Sequence, residues 1–198
     1  MKILDVVRHG PSVTNAAQYW GDGPASIPLT SEGERAAQAF AANWKHRPDL
    51  IGCSNYARSI QTAAPLANKF GLPLLTLDVR EFTYWDLKLT QEDYQRDRKA
   101  EADAYWSRLD PTEKRGGANA ESFSEFVARC WAFRHWAEQT PFETCVVVSH
   151  GHFMHAFRAI MKGVDLPHRE FMAYLVENLR GNAYVNLQVE RYLIESGQ

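Results

Sequence analysis

Four short apolar runs constrain this chain more than any other feature: Ile3 to Val7, Leu50 to Cys53, Leu74 to Leu77 and Cys145 to Val148. They are rich in Val, Ile and Leu and lack the polar alternation of a half-exposed antiparallel strand, so they predict central strands covered on both faces. Amphipathic stretches lie between them. Thr30 to Trp44 places Ala37, Phe40, Ala41 and Trp44 on one helical face, with Ser31 and Glu34 as a candidate capping box. Ala57 to Phe70 closes on Gly71, with a kink or restart expected at Pro65. Ser122 and Glu125 form a second candidate capping box, opening a helix through Trp136, and Phe153 to Lys162 predicts another that ends at Gly163. Strands alternating with helices predict an α/β fold, a three-layer α/β/α sandwich around a mostly parallel sheet. The tail from Asn182 to Glu195 is expected to add a last strand, with its direction, parallel or antiparallel, left open. From 86 to 120 the alternation breaks into a charged helical stretch, Gln91 to Lys99, and a loop with Asp110-Pro111 and Gly116-Gly117. This reads as a helical insertion over the sheet edge within a single domain of residues 1–198.

Composition narrows the function. The 22 Lys and Arg residues against 24 Asp and Glu give a formal charge of -2, with no basic tract, so nucleic acid is not an expected partner. The Val146 to Val148 stretch stops at Ser149 and His150, far short of the roughly 18 apolar residues of a membrane span. Asp5 and Arg8 interrupt the N-terminal run before a signal-peptide core can form, so a cytoplasmic protein without membrane contact is expected. Cys53, Cys130 and Cys145 are odd in number, widely spaced and without a Cys-x-x-Cys pair, which predicts buried thiols rather than disulfides or a zinc site.

The chemistry is expected just past the strands, because open α/β sheets bind ligands beyond their carboxyl ends. Arg8, His9 and Gly10 follow the first run, Ser54 and Arg58 the second, Arg80 and Glu81 the third, and Ser149, His150 and Gly151 the fourth. Two His-Gly turns, two or three arginines and a carboxyl group thus share one rim. That set suits attack on a phosphate monoester. A neutral imidazole can take the phosphoryl group covalently, arginine forks hold its oxygens, and a carboxylic acid protonates the leaving oxygen. Glu81 would fill the last role, with a pKa expected to be raised by burial against the opposing pull of the arginines.

These residues resemble the histidine phosphatase superfamily, also described as phosphoglycerate mutase-like. Arg8-His9-Gly10-Pro11-Ser12-Val13-Thr14-Asn15 is similar to its Arg-His-Gly signature, and Pro28-Leu29-Thr30-Ser31-Glu32-Gly33 to the segment opening its first helix. Ser54 to Ala63 resembles the block that brings in a second phosphate arginine, Ala120-Glu121-Ser122 with Arg129 a helix start, and Val148-Ser149-His150-Gly151 the second catalytic histidine. The resemblance implies His9 as phosphate acceptor, Arg8, Arg58 and His150 as the phosphate pocket, Glu81 as proton donor and Asn15 as a phosphate or substrate contact. It implies a metal-independent phosphatase of the phosphohistidine type, needing no cofactor and acting on a small phosphorylated substrate. Pro11, Ser26 and Ala120 depart from residues common in the family, and Phe82 stands where a glycine usually follows the acid.

Two other functions fit the same residues, a phosphoglycerate mutase-type phosphoryl transfer and a non-catalytic phospho-ligand binder. His150, His152 and His155 are close enough to suggest a metal cluster, but their spacing matches no strong zinc pattern, and His152 is expected to line the pocket while His155 packs along a helix. Trp20, Tyr84, Trp85 and Trp106 are expected to be packing or lid residues. Substrate choice is expected to fall to the Gln18 to Ile27 loop, the Tyr84-Trp85 turn and the insertion, whose nearly cancelling charges favour a leaving group without a second phosphate.

Overall fold

The structure, a computed structural model, describes residues 1–16, 23–86, 98–117, 119–179 and 182–195. Five strands form the main sheet: β1 (Lys2–Arg8), β2 (Leu50–Cys53), β3 (Leu74–Thr76), β6 (Thr144–Ser149) and β7 (Val189–Ile194), in the order β3-β2-β6-β1-β7. The first four run parallel, and β7 closes the edge antiparallel to β1 with Asp5 opposite Arg191. The helices are α1 (Ser31–Asn43), α2 (Ala57–Phe70), α3 (Arg98–Arg108), α4 (Phe123–Gln139), α5 (Gly151–Met161) and α6 (His168–Leu179). A separate parallel pair joins β4 (Trp85–Asp86) to β5 (Arg115–Gly116).

Two apolar layers cover the sheet, which makes the three-layer sandwich. Val7, Ile51, Cys53, Val146 and Val148 pack on one face against Ala41 of α1 and Ala63, Leu66 and Ala67 of α2. Leu4, Val6, Cys145 and Val147 point to the other, where Phe126, Phe133, Phe153, Phe157, Phe171 and Met172 of α4, α5 and α6 meet them. Burial on both faces explains the unbroken apolar runs of β1, β2 and β6, whereas β3 is an edge strand with Leu75 exposed and not the central, covered strand expected. Lys2 is buried on β1 because its Nζ donates to the carbonyls of Ala137, Glu138 and Thr140 at 2.7–3.0 Å, the acceptors left over at the end of α4. The three cysteines are free and buried. No helix among the described residues is long and apolar enough to cross a membrane.

Several expectations need correction. The cap of α1 is Thr30, whose side chain accepts from Gly33 N–H, rather than Ser31 with Glu34. Gly33 is required there, since a Cβ would lie 2.0 Å from the Pro11 carbonyl oxygen. Helix α2 passes Pro65 without a break, and Gly71 caps it at φ +62°. The Ser122–Glu125 capping box of α4 forms as expected. Helix α6 and the β4–β5 pair were not anticipated, and the helix over Arg98–Arg108 falls within the expected helical insertion, extending past the Gln91 to Lys99 stretch. Residues 87–97, most of the charged stretch, and 17–22, with Trp20 and part of the Gln18 to Ile27 loop, lie outside the described residues.

Segment 98–117 is built into the core. Tyr105 of α3 is fully buried and stacks on Tyr84 at 4.1 Å, while Phe82 stacks on Phe126 at 4.6 Å and meets Trp106 edge-on at 5.8 Å. Phe82, in place of a glycine, therefore anchors the loop after β3 to α3 and α4.

Candidate active site

The carboxyl ends of β1, β2 and β6 converge, and the residues after them meet. His9 N–H donates to the Ser149 carbonyl at 3.0 Å, and the His9 and His150 rings lie 5.1 Å apart. Both rings are buried. His9 Nδ1 lies 2.7 Å from the Gly10 carbonyl, which can only accept, so the ring proton sits on Nδ1. Nε2 then keeps its lone pair, and Arg58 Nε donates to it at 3.2 Å. Burial and then the Arg58 charge push the His9 pKa down to about 3, which keeps the ring neutral near pH 7. Stability should accordingly rise with pH between about 3 and 6.5, where the unfolded chain binds a proton at His9 and the folded chain does not. In His9→Asn the slope of unfolding free energy against pH should drop by one proton over that window, measured by denaturant titration at several pH values.

Arg58 is buried at the start of α2, where Nη1 donates to the Pro24 carbonyl at 2.7 Å and the guanidinium lies over the Tyr56 ring. Arg8 is aimed by its Nη1, which donates to the Tyr184 carbonyl. His150 Nε2 lies 2.7 Å from Ser54 Oγ, which also accepts from Tyr56 N–H at 3.3 Å. Burial, then Arg58, holds the His150 pKa well below its ordinary value. Arg8 Nε and His150 Nδ1 are buried without a protein partner among the described residues. A Cβ on Gly151 would fall 3.9 Å from Arg8 Nε and 3.8 Å from Glu81 Oε2, so the bare glycine leaves space between a cation and a carboxylate.

Glu81 joins this rim, but its electrostatics differ from expectation. Oε1 accepts from Phe82 N–H at 3.1 Å and from His152 N–H at 3.0 Å, in the first turn of α5, and His152 Nδ1 lies 3.4 Å away. Burial raises the carboxyl pKa, yet the His152 ring, by charge and by hydrogen bonding, followed by His150 and Arg58, pulls it well below the usual range. The expected upward shift is therefore wrong for the free site. His152 was expected to line the pocket, but its direct pairing with Glu81, 71 positions away, is set by the first turn of α5 and was not part of that expectation. Arg80 turns away from the rim and pairs with Asp78 and Glu121.

Asn15 is exposed on the loop after β1, where Oδ1 accepts from Ser12 N–H, Ser12 Oγ and Asn186 Nδ2. The described contacts make it a loop brace. The suggested metal trio is dispersed: His150 binds Ser54, His152 faces Glu81, and His155 Nδ1 lies 3.0 Å from Arg158 against the Tyr184 ring. Among the described residues no group of three His, Cys, Asp or Glu side chains could hold a metal ion.

Residues outside the expected set hold the rim in place. Arg129 donates to Glu121 at 2.6 and 2.8 Å and to the carbonyls of Arg80 and Glu81 at 2.8 and 3.3 Å, while Glu121 Oε1 accepts from Thr83 N–H. The buried pair thus clamps the loop carrying Glu81, which explains why Glu121 and Arg129 accompany the α4 cap. Arg129→Leu takes the two-point partner from buried Glu121, leaving it only the longer contact to Arg80 at 3.3 Å and the Thr83 N–H, and should cost about 3 kcal/mol, a Tm drop on the order of 10 °C by calorimetry.

A family model, the histidine phosphatase superfamily (branch 1), matches residues 4–180. "Putative phosphoserine phosphatase 2" of Hydrogenobacter thermophilus is 25% identical over 168 residues, covering 84% of this chain and 81% of its own. Among solved structures, a mycobacterial glucosyl-3-phosphoglycerate phosphatase superposes with a TM-score of 0.67 at 24% identity, over 96% of this chain and 89% of that one. The α-ribazole phosphatase of Shigella flexneri gives 0.68 at 23% identity, over 87% and 84%. At those identities the two structures show the shared fold.

Proposed function

The chain belongs to the histidine phosphatase superfamily, branch 1, and is a histidine phosphatase; we propose that it hydrolyses a small phosphomonoester through a phosphohistidine on His9 and without a metal. The observation that supports this most is the fixed tautomer of His9, with Nδ1–H on the Gly10 carbonyl and the Nε2 lone pair beside Arg58. Arg58 redirects its Nε–H hydrogen bond from His9 Nε2 to a phosphoryl oxygen when substrate binds, and the freed Nε2 lone pair attacks phosphorus as the bond to the leaving oxygen breaks. Arg8, Arg58 and the Nδ1–H of a neutral His150, its Nε2 accepting from Ser54, hold the phosphoryl oxygens. Glu81 Oε2 gives a proton to the departing alcohol. The carboxylate then takes a proton from water, whose oxygen attacks phosphorus, breaks the N–P bond and releases phosphate with His9 neutral again.

The low pKa of Glu81 in the free site is compatible with this sequence. A phosphate group placed beside Oε2 brings negative charge against the carboxylate and raises its proton affinity. Residues 1–198 work as one domain in this reading, with the segment from 86 to 120 selecting the leaving group and Asn15, held by Ser12 and Asn186 on the loop after β1, as a phosphate or substrate contact.

A phosphate-release screen over sugar phosphates, nucleotides, phosphoserine and phosphoglycerates, with EDTA and vanadate controls, tests the reading. Turnover of a monophosphate that survives EDTA and is blocked by vanadate is expected. Loss of all activity in EDTA would overturn it, as would a null result across the panel; isomerised phosphoglycerate without phosphate release would instead show a mutase.

A further inference from the structure

His152 is left over by the mechanism, yet it is the residue most engaged with Glu81. It meets Oε1 twice, through its backbone N–H at 3.0 Å and its ring Nδ1 at 3.4 Å. Phe82 N–H occupies the same oxygen. Oε1 is thereby committed to the protein, and Oε2 is the oxygen that borders the space above Gly151, which Arg8 Nε borders as well. The His152 ring also lies parallel to Trp106 of α3, with centroids 5.9 Å apart and an interplanar angle of 13°. Both rings line a cavity of about 700 Å³ walled by Ser107, Val176 and Leu179 from α3 and α6.

We propose that His152 is a positioning residue for the acid step: it grips Oε1 from backbone and ring, presents Oε2 to the leaving oxygen, and ties that orientation through Trp106 to the wall of the cavity. A carboxyl group with both oxygens free rotates about its terminal bond, and a proton donor that is misaimed loses most of its catalytic effect. The stack on Trp106 fixes the imidazole plane, since the ring is otherwise more than a third exposed and free to turn. The inference rests on Glu81 as proton donor, and the test separates the two.

The experiment compares kcat/KM for phenyl phosphate and p-nitrophenyl phosphate, esters of similar shape whose leaving groups differ in their need for a proton. p-Nitrophenolate departs as a stable anion, whereas phenolate is much more basic and depends on the acid. His152→Phe keeps a ring against Trp106 but removes the Nδ1 contact. It should lower kcat/KM for phenyl phosphate about tenfold or more while changing p-nitrophenyl phosphate less than about threefold, within the range of general acid catalysis. His152→Gln, which keeps a donor, should recover part of the loss. In a Glu81→Gln background His152→Phe should add nothing selective, because the residue acts through Glu81. Parallel loss on both esters, or no loss on either, would overturn the His152 proposal while Glu81→Gln still showed a selective defect. If Glu81→Gln itself lacked that defect, the acid assignment would fall and this inference with it.

Discussion

His9→Ala should abolish turnover, with a loss on the order of 10⁴-fold or more in kcat, because on the proposed mechanism the variant lacks the atom that carries the phosphoryl group. The expectation is sharper than for an ordinary buried histidine. Nδ1 is held by the Gly10 carbonyl, the pKa is down at about 3, and Arg58 is bonded to Nε2, so the ring is kept neutral at every pH where an enzyme normally works, as the proposed nucleophile must be. The fold should survive, since His9 N–H with Ser149 and the His9 carbonyl with Asn186 are backbone ties that alanine keeps, and beyond the neighbouring Gly10 the only side-chain tie lost among the described residues is the one from Arg58 to Nε2. Circular dichroism alongside a phosphate-release assay checks both halves. His150→Ala should differ in kind, binding phosphate ligands with reduced affinity and transferring slowly, because its ring supplies a donor rather than the bond-forming atom.

Arg58→Lys should be nearly as informative as removing the residue. The guanidinium reaches His9 Nε2 through Nε, the Pro24 carbonyl through Nη1 and the Tyr56 face through its plane. A lysine keeps one charge and loses the planar fork and the stack, at a cost of about 2–3 kcal/mol, or roughly 30- to 150-fold in kcat/KM. Steady-state kinetics on the best substrate of the screen measures this. Near-normal values would place Arg58 outside the phosphate pocket.

The sandwich was readable because burial on both faces of the sheet leaves a mark that no surface strand carries: Val146, Val147 and Val148 are apolar in succession, each needed by one layer or the other. The rim was readable for a related reason, since parallel topology gathers the residues after β1, β2 and β6 at one end, and those residues are chemically unusual. Less visible features depended on three-dimensional pairing. β4 and β5 have two residues each, too few for any period, and form only because Tyr84 and Arg115 are brought together by the aromatic cluster. Helix α6 did carry a signal, with Phe171, Met172 and Leu175 on one face after Pro167. The Thr30 cap was missed because Ser31 and Glu34 also match the capping pattern, and the choice was made by Gly33 packing on Pro11. Glu81 was found by its place after a strand, but its ionisation was misjudged. Burial is a local property that sequence can suggest; the opposing His152 charge comes from another strand end.

The central claim is that a phosphoryl group passes through His9 Nε2. Rapid quenching of the enzyme with a ³²P-labelled substrate, followed by peptide mapping, tests it directly. The account predicts label on the peptide containing His9, lost in acid and retained in alkali, with none in His9→Ala. Label on another residue, label persisting in His9→Ala, or steady turnover with no covalent phosphate at any quench time would contradict it.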